Sequence, residues 1–191
     1  MDKTGLDEIK WFVMRAYKCE SKAEERLSGE GGLEFFIPKT YAVRVYHGVK
    51  SRRLVPAIPS LVFVHASKRQ MVEFKKDNNF LQFIMHRTSE RSEYLSVPDR
   101  QMDNFIKVAS HPEESLTYFK PEEINLKKGT RIRILGGPFD GVEGIFVKTE
   151  GVRNRQVVVT LEGLMSVAAK VHPDLVEVLP QKTEKQNAES R

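Results

Sequence analysis

The sequence predicts an α+β protein in two parts, an α/β sandwich followed by a smaller all-β barrel. Three observations carry this. Through residues 1–110 helix-prone and β-prone stretches alternate, whereas residues 127–180 hold only short β-prone runs between turn residues. Residues 111–126 separate them, with Pro112, Pro121 and four glutamates against the single Lys120. Of 191 residues, 40% are hydrophobic and 30% charged, a balance that supports a packed core.

The elements of the first part follow in order. Residues 11–17 (WFVMRAY) form a β-prone run. Residues 21–27, rich in Ala, Glu, Lys and Arg, predict a helix that Gly29, Gly31 and Gly32 end. Residues 33–46 and 54–66 are β-prone and joined by a five-residue loop, 47–51, which predicts a hairpin. Residues 68–76 suit a helix with Met71 and Phe74 on one face, and residues 80–85 are another apolar run. Pro98 suits a helix start, with Met102, Phe105, Ile106 and Ala109 at helical spacing. The resulting order, β-α-β-β-α-β-α, is close to a ferredoxin-like sandwich.

The second part reads as five short strands, 131–135, 142–148, 156–161, 165–171 and 175–179, which suggest a small closed barrel. Gly137 supplies a positive φ to the turn at 136–141, Phe139 caps the barrel mouth, and Gly144 permits a strand bend. Residues 181–191 have no apolar side chain larger than Ala188 and predict disorder. The domains expected are therefore 1–110, a linker 111–126, 127–180 and a tail 181–191.

Charge is placed unevenly. The net is +5, and residues 1–110 alone carry 19 basic against 14 acidic side chains. No acid occurs between Glu34 and Glu73, a window that holds Lys39, Arg44, Lys50, Arg52, Arg53, Lys68 and Arg69. Lys50, Arg52 and Arg53 are candidates for phosphate contact, as are Arg15 and Lys18 at the end of the first strand. The opposing reading is a solvated basic loop.

Enzymatic signals are weak. His47, His65, His86, His111 and His172 are scattered, without metal-ligand spacing, and read as solvated or locally bonded. Cys19, the single cysteine, has no recognisable partner base and excludes an intramolecular disulfide. The loop at 29–32 lacks the Lys-Ser/Thr of a phosphate loop. There is no apolar run of membrane-spanning length and no secretory h-region. A cytoplasmic, monomeric protein with no catalysis, cofactor, metal or membrane contact is expected.

Residues 131–147 (RIRILGGPFDGVEGIFV) resemble a KOW motif, with Gly137-Pro138-Phe139 and Gly144 at its core. Trp11-Phe12-Val13 opens the first part. Ile58-Pro59-Ser60-Leu61-Val62-Phe63-Val64 resembles the Phe-Pro-Gly-Tyr-Val-Leu-Val segment of NusG proteins. The resemblance to the NusG family covers residues 9–179 and implies a NusG-type N-terminal domain and an SH3-like KOW barrel. Ser60 stands where Gly is usual, Leu61 replaces an aromatic, and Phe83-Ile84-Met85-His86 replaces a Phe-Ile/Val-Gly-Gly segment. These departures resemble specialised paralogues of the RfaH or UpxY type.

The resemblance implies a transcription elongation or antitermination factor that binds the RNA polymerase β′ clamp helices and suppresses pausing or termination. It carries the polymerase contact onto Ile58, Pro59, Leu61, Phe63 and Phe83, each of which has core packing as its plainer reading. Val62 and Val64, on the opposite strand face, are expected in the core. The basic residues would meet non-template DNA or nascent RNA. The barrel would recruit NusE or Rho, although Glu162-Gly163-Leu164-Met165 stands where the family has an aromatic and a basic residue. The Val157-Val158-Val159 run favours strand over helix, so a constitutive barrel is expected. The competing function is a ribosome-associated or RNA-binding protein that uses the barrel.

Overall fold

In the computed structural model, residues 7–29, 33–87, 92–120, 123, 126, 129–148 and 155–180 are described. Contacts divide the chain into two units, Met1–Glu114 and Ser115–Arg191.

Strand β1 (Ile9–Arg15) has four consecutive buried residues, Trp11 to Met14, as a strand covered on both faces requires. It runs antiparallel to β5 (Leu61–Ser67), from Ile9 opposite Ser67 to Arg15 opposite Leu61. β2 (Glu34–Phe36) pairs with the other edge of β5. β6 (Gln82–Phe83) and β9 (Ser96–Val97) both pair with β1. The order β2-β5-β1-β6 is that of a split β-α-β sandwich.

Each face of the sheet has its own cover. Phe12, Met14, Val62, Val64 and Ala66 pack with Ala23 and Leu27 of α1 (Glu20–Ser28) and with Met71 of α2 (Lys68–Asp77). Helix α2 starts at a capping box in which Ser67 and Gln70 satisfy each other's amides. On the opposite face α3 (Asp99–Ala109) sets Phe105 against Phe36 and Phe63. Its buried residues are Met102, Phe105, Val108 and Ala109. Ile106, expected in that stripe, is only half-buried. At about 100° per residue Ile106 lies about 40° beyond Met102 on one side of the stripe and Val108 about 60° beyond Phe105 on the other, so the buried face is turned toward the Phe105 side.

The two long β-prone stretches do not each make one strand of this sheet. Residues 33–46 divide at Ile37-Pro38 into β2 and β3 (Lys39–Tyr46), because Pro38 has no amide for the ladder. Among the described residues β3 pairs only with β4 (Val49–Pro56), in a separate two-stranded ribbon. The loop is shorter than the five residues expected: His47 and Gly48, at φ 46° and 78°, make the whole turn. Two successive positive φ values match the twist of a two-residue hairpin. The run at 80–85 likewise divides, into β6 and β7 (Met85–Arg87), which pairs with β8 (Ser92–Tyr94).

Among the described residues the second unit is one antiparallel sheet of six strands. In chain order these are β10 (Thr117–Phe119), β11 (Thr130–Ile134), β12 (Glu143–Lys148), β13 (Arg155–Leu161), β14 (Met165–Lys170) and β15 (Val176–Val178). Their spatial order is β10-β14-β13-β12-β11-β15. β10 comes from within the stretch read as a linker, where Tyr118 pairs with Val167. Gly137 has φ 71°, and Phe139 is buried. Gly144 serves close approach: a Cβ there would lie 2.8 Å from the Val158 carbonyl oxygen on β13. The tail read as disordered, 181–191, lies outside the described residues. Among the described residues no helix is long and apolar enough to cross a membrane.

Candidate interface residues

Three surfaces of the first unit hold the residues singled out in the sequence. The first is the end of the sheet where β1 leaves and β5 begins. Ser60 has φ 65°, a left-handed conformation costly for a residue with a Cβ. That conformation explains the glycine usual at this place in the resembling segment. Here it is held by three bonds from residues 16–20. The Ala16 amide donates to the Ser60 carbonyl at 2.8 Å, the Lys18 amide to Ser60 Oγ at 3.2 Å, and the Ser60 amide to Glu20 Oε1.

These bonds bring Ile58 and Pro59 beside residues 15–18. Pro59, Arg15, Tyr17 and Lys18 are exposed, and Ile58 is half-buried. The Arg15 guanidinium stands 5.6 Å from the centre of the Tyr17 ring, and that ring is 61% exposed. Ile58 and Pro59, assigned to polymerase, thus meet Arg15 and Lys18, assigned to nucleic acid, at one edge. Tyr17 was not singled out in the sequence; it and Lys18 turn the chain here with φ values of 24° and 62°.

The other apolar candidates go elsewhere. Leu61 and Phe63 are buried, Phe63 completely, with its ring 5.7 Å from Phe105. Helix α3 covers this strand face, so the core reading describes Phe63. Phe83 lies on the second surface, on the opposite sheet face. It is half-buried, edge-on to Phe12 at 5.5 Å and stacked on Tyr94 at 4.0 Å. The five residues therefore do not form one surface. Val62 and Val64 are buried as expected.

A row of lysines over aromatic rings escaped the sequence reading. Lys22 lies 4.8 Å from the Phe80 ring, Lys68 4.9 Å from Tyr94 and Lys75 4.9 Å from Phe83. The partners come from separate elements, and no local pattern signals the pairing. Each contact at such a surface is worth about 0.5–1 kcal/mol.

The third surface is the β3–β4 ribbon. Arg44, Lys50, Arg52 and Arg53 are all exposed. Lys50 and Arg52 stand opposite Val45 and Val43 on one face, while Arg53 stands opposite Ala42 on the other face with Arg44. Arg52 lies 3.9 Å from the Tyr41 ring centre. At the ribbon's base, Lys39 bridges Glu24 at 2.6 Å beside a cleft of about 290 Å³ lined by Phe35, Ile37, Leu54 and Ala109.

The described histidines show no shared site. His65 is locally bonded, stacked on Trp11 at 4.7 Å with Nδ1 2.6 Å from Glu34.

The family model described as transcription termination factor NusG matches residues 9–106, just over half of the chain. No curated protein matches the sequence. Among solved structures, one describing domain interaction in Thermotoga maritima NusG is similar to 91% of this chain and 98% of its own, at 21% identity and a TM-score of 0.45.

Proposed function

Because the chain belongs to the NusG family of transcription factors, we propose that it promotes elongation or antitermination by holding RNA polymerase through its first unit. The observation that carries this reading is the exposed sheet edge where Ile58 and Pro59 stand beside Tyr17 and Arg15. An aromatic side chain with an arginine over it, next to apolar residues, has the composition of a protein-binding hot spot. The β′ clamp helices are its proposed partner. Leu61 and Phe63 support that edge from the core, and Phe83 with Tyr94 presents a separate surface.

Arg15 and Lys18 at the same edge, and Lys50, Arg52 and Arg53 on the ribbon, contact the phosphates of non-template DNA or nascent RNA. The second unit, whose turn at 136–141 and Gly144 follow the KOW pattern, acts as an adaptor. Glu162-Gly163-Leu164-Met165 gives it a loop unlike the family's partner-binding one, so it does not stimulate Rho. The work is binding, and catalysis belongs to the polymerase.

Capture of the chain on an immobilised β′ clamp-helix fragment tests the reading. Ile58→Glu combined with Pro59→Glu abolishes capture and leaves the urea midpoint of the first unit within the error of the unmodified chain. Retained capture by that folded variant would place the polymerase contact elsewhere.

A further inference from the structure

The β3–β4 ribbon has a feature that phosphate contact alone does not explain. A ribbon laid on a flat partner buries one face, and its other face then needs no special composition. Here the cations are shared between the faces. Lys50 and Arg52 project from one, and Arg44 and Arg53 from the other. All four are exposed, and none pairs with a carboxylate among the described residues. No acidic residue occurs anywhere in β3 or β4.

Large apolar side chains occupy both faces as well. Tyr41, Val43 and Val45 share the first face, and Tyr46 and Val49 the second, with Tyr46 75% exposed. Such a ribbon, unpaired at both edges among the described residues and bare on both faces over its outer half, is costly to leave in water. Its arrangement fits a partner that presents two negative walls, one to each face.

We propose that the β3–β4 ribbon inserts into the major groove of duplex DNA, a proposal that rests on the phosphate-contact reading above and assigns it a partner. The B-form major groove, about 12 Å wide, admits a two-stranded β-ribbon. Eight residues per strand at a rise of about 3.3 Å give a ribbon of about 26 Å, long enough to span the groove and reach beyond it. Inserted tip first, Tyr46 and His47 lead. Lys50 and Arg52 face one phosphate wall while Arg44 and Arg53 face the other. The turn, with Tyr46 and His47, meets the groove floor, where thymine methyl groups are the apolar partners. Val43 and Val45 lie along the first wall beside Arg52 and Lys50, and Val49 along the second. The contact of Arg52 with Tyr41 at 3.9 Å holds that guanidinium along the ribbon side. Duplex RNA is the wrong shape, because its major groove is too deep and narrow for side chains to enter.

The test uses the full chain and three probes: a short mixed-sequence DNA duplex, one of its separated strands and an RNA duplex of matching sequence. Fluorescence anisotropy over a range of NaCl concentrations gives affinity and salt slope. The DNA duplex binds tightest. Arg44→Gln with Arg53→Gln, and separately Lys50→Gln with Arg52→Gln, each lower the salt slope by about 2, since each lost phosphate contact removes about 0.9. Circular dichroism and the urea midpoint confirm that both variants fold. In the complex, guanine N7, which lies in the major groove, is protected from dimethyl sulfate. Tighter binding to the single strand or to RNA overturns the groove assignment while leaving phosphate contact intact. So does a loss confined to one double variant, or an unprotected N7. Absence of salt-dependent binding to all three probes overturns the phosphate-contact reading itself.

Discussion

Phe63 and Tyr118 show how burial decides what a side chain does. Phe63 is completely buried and in contact range of Phe105 across the α3 face. Phe63→Ala removes that ring and leaves a cavity, at a cost of about 3–5 kcal/mol. Urea denaturation of the first unit should show the loss, and any weakened polymerase capture should follow unfolding. Tyr118 in β10 has its hydroxyl buried with no hydrogen-bond partner among the described residues. Burial disfavours the charged phenolate and pushes its pKa up from 10.0 to about 12. Between those values the unfolded chain ionises first, so the native state binds more protons and stability falls as pH rises. The contribution is fully present below pH 10 and lost through about pH 12. Tyr118→Phe should abolish that part of the alkaline decline, read as the difference in urea midpoint between variant and unmodified chain across this range. Below pH 10 the substitution should be neutral or stabilising, because it removes a buried polar group without a partner.

At the scale of elements, local rules act where chain neighbours also neighbour in space. The capping box at Ser67, the continuous apolar run in β1 and the helical spacing around Phe105 are all readable from short windows. The ribbon is different. Residues 33–46 look like one strand because nearly every residue favours β structure. Pro38 marks where the strand breaks, but that β2 joins the main sheet while β3 leaves it is decided by the pairing of β2 with β5, nearly thirty residues later. The turn depends on positive φ at both His47 and Gly48. A histidine there is a weaker signal than the Asn or Asp common before a turn glycine. Gly48→Ala tests the element directly. A Cβ at Gly48 meets nothing within 4 Å, but φ is 78°, so the expected cost is backbone strain of about 1 kcal/mol. Amide exchange should quicken over residues 43–52 and stay unchanged in β1 and β5. Quickening in the core strands would mean that the ribbon and the sheet unfold as one.

For the whole molecule, the alternation of helix and strand made the α+β class and the two-part layout legible, since each unit has its own periodicity. The candidate site was less so. That α3 is amphipathic is visible in the sequence, but which sheet face it covers is not, and that choice places Phe63 in the core. The meeting of Pro59 with Tyr17 depends on bonds between residues about forty positions apart, such as that from the Lys18 amide to Ser60 Oγ. Charge and apolar surface then make different demands on the complete chain. The exposed cations alone suit a protein carried by RNA, which would favour the ribosome-associated alternative. The Ile58–Pro59 edge suits a protein partner, for which electrostatics sets the encounter rate more than the bound lifetime. Purification of the tagged full chain from cells, with and without nuclease, separates these demands. RNA polymerase should remain bound after nuclease treatment and withstand a salt wash, because apolar contact is little screened while exposed ion contacts are. Combined substitution of Lys50, Arg52 and Arg53 by Gln should leave polymerase recovery unchanged and deplete nucleic acid from the untreated sample. Loss of polymerase on nuclease treatment would instead favour a chain held to the transcription machinery by nucleic acid alone.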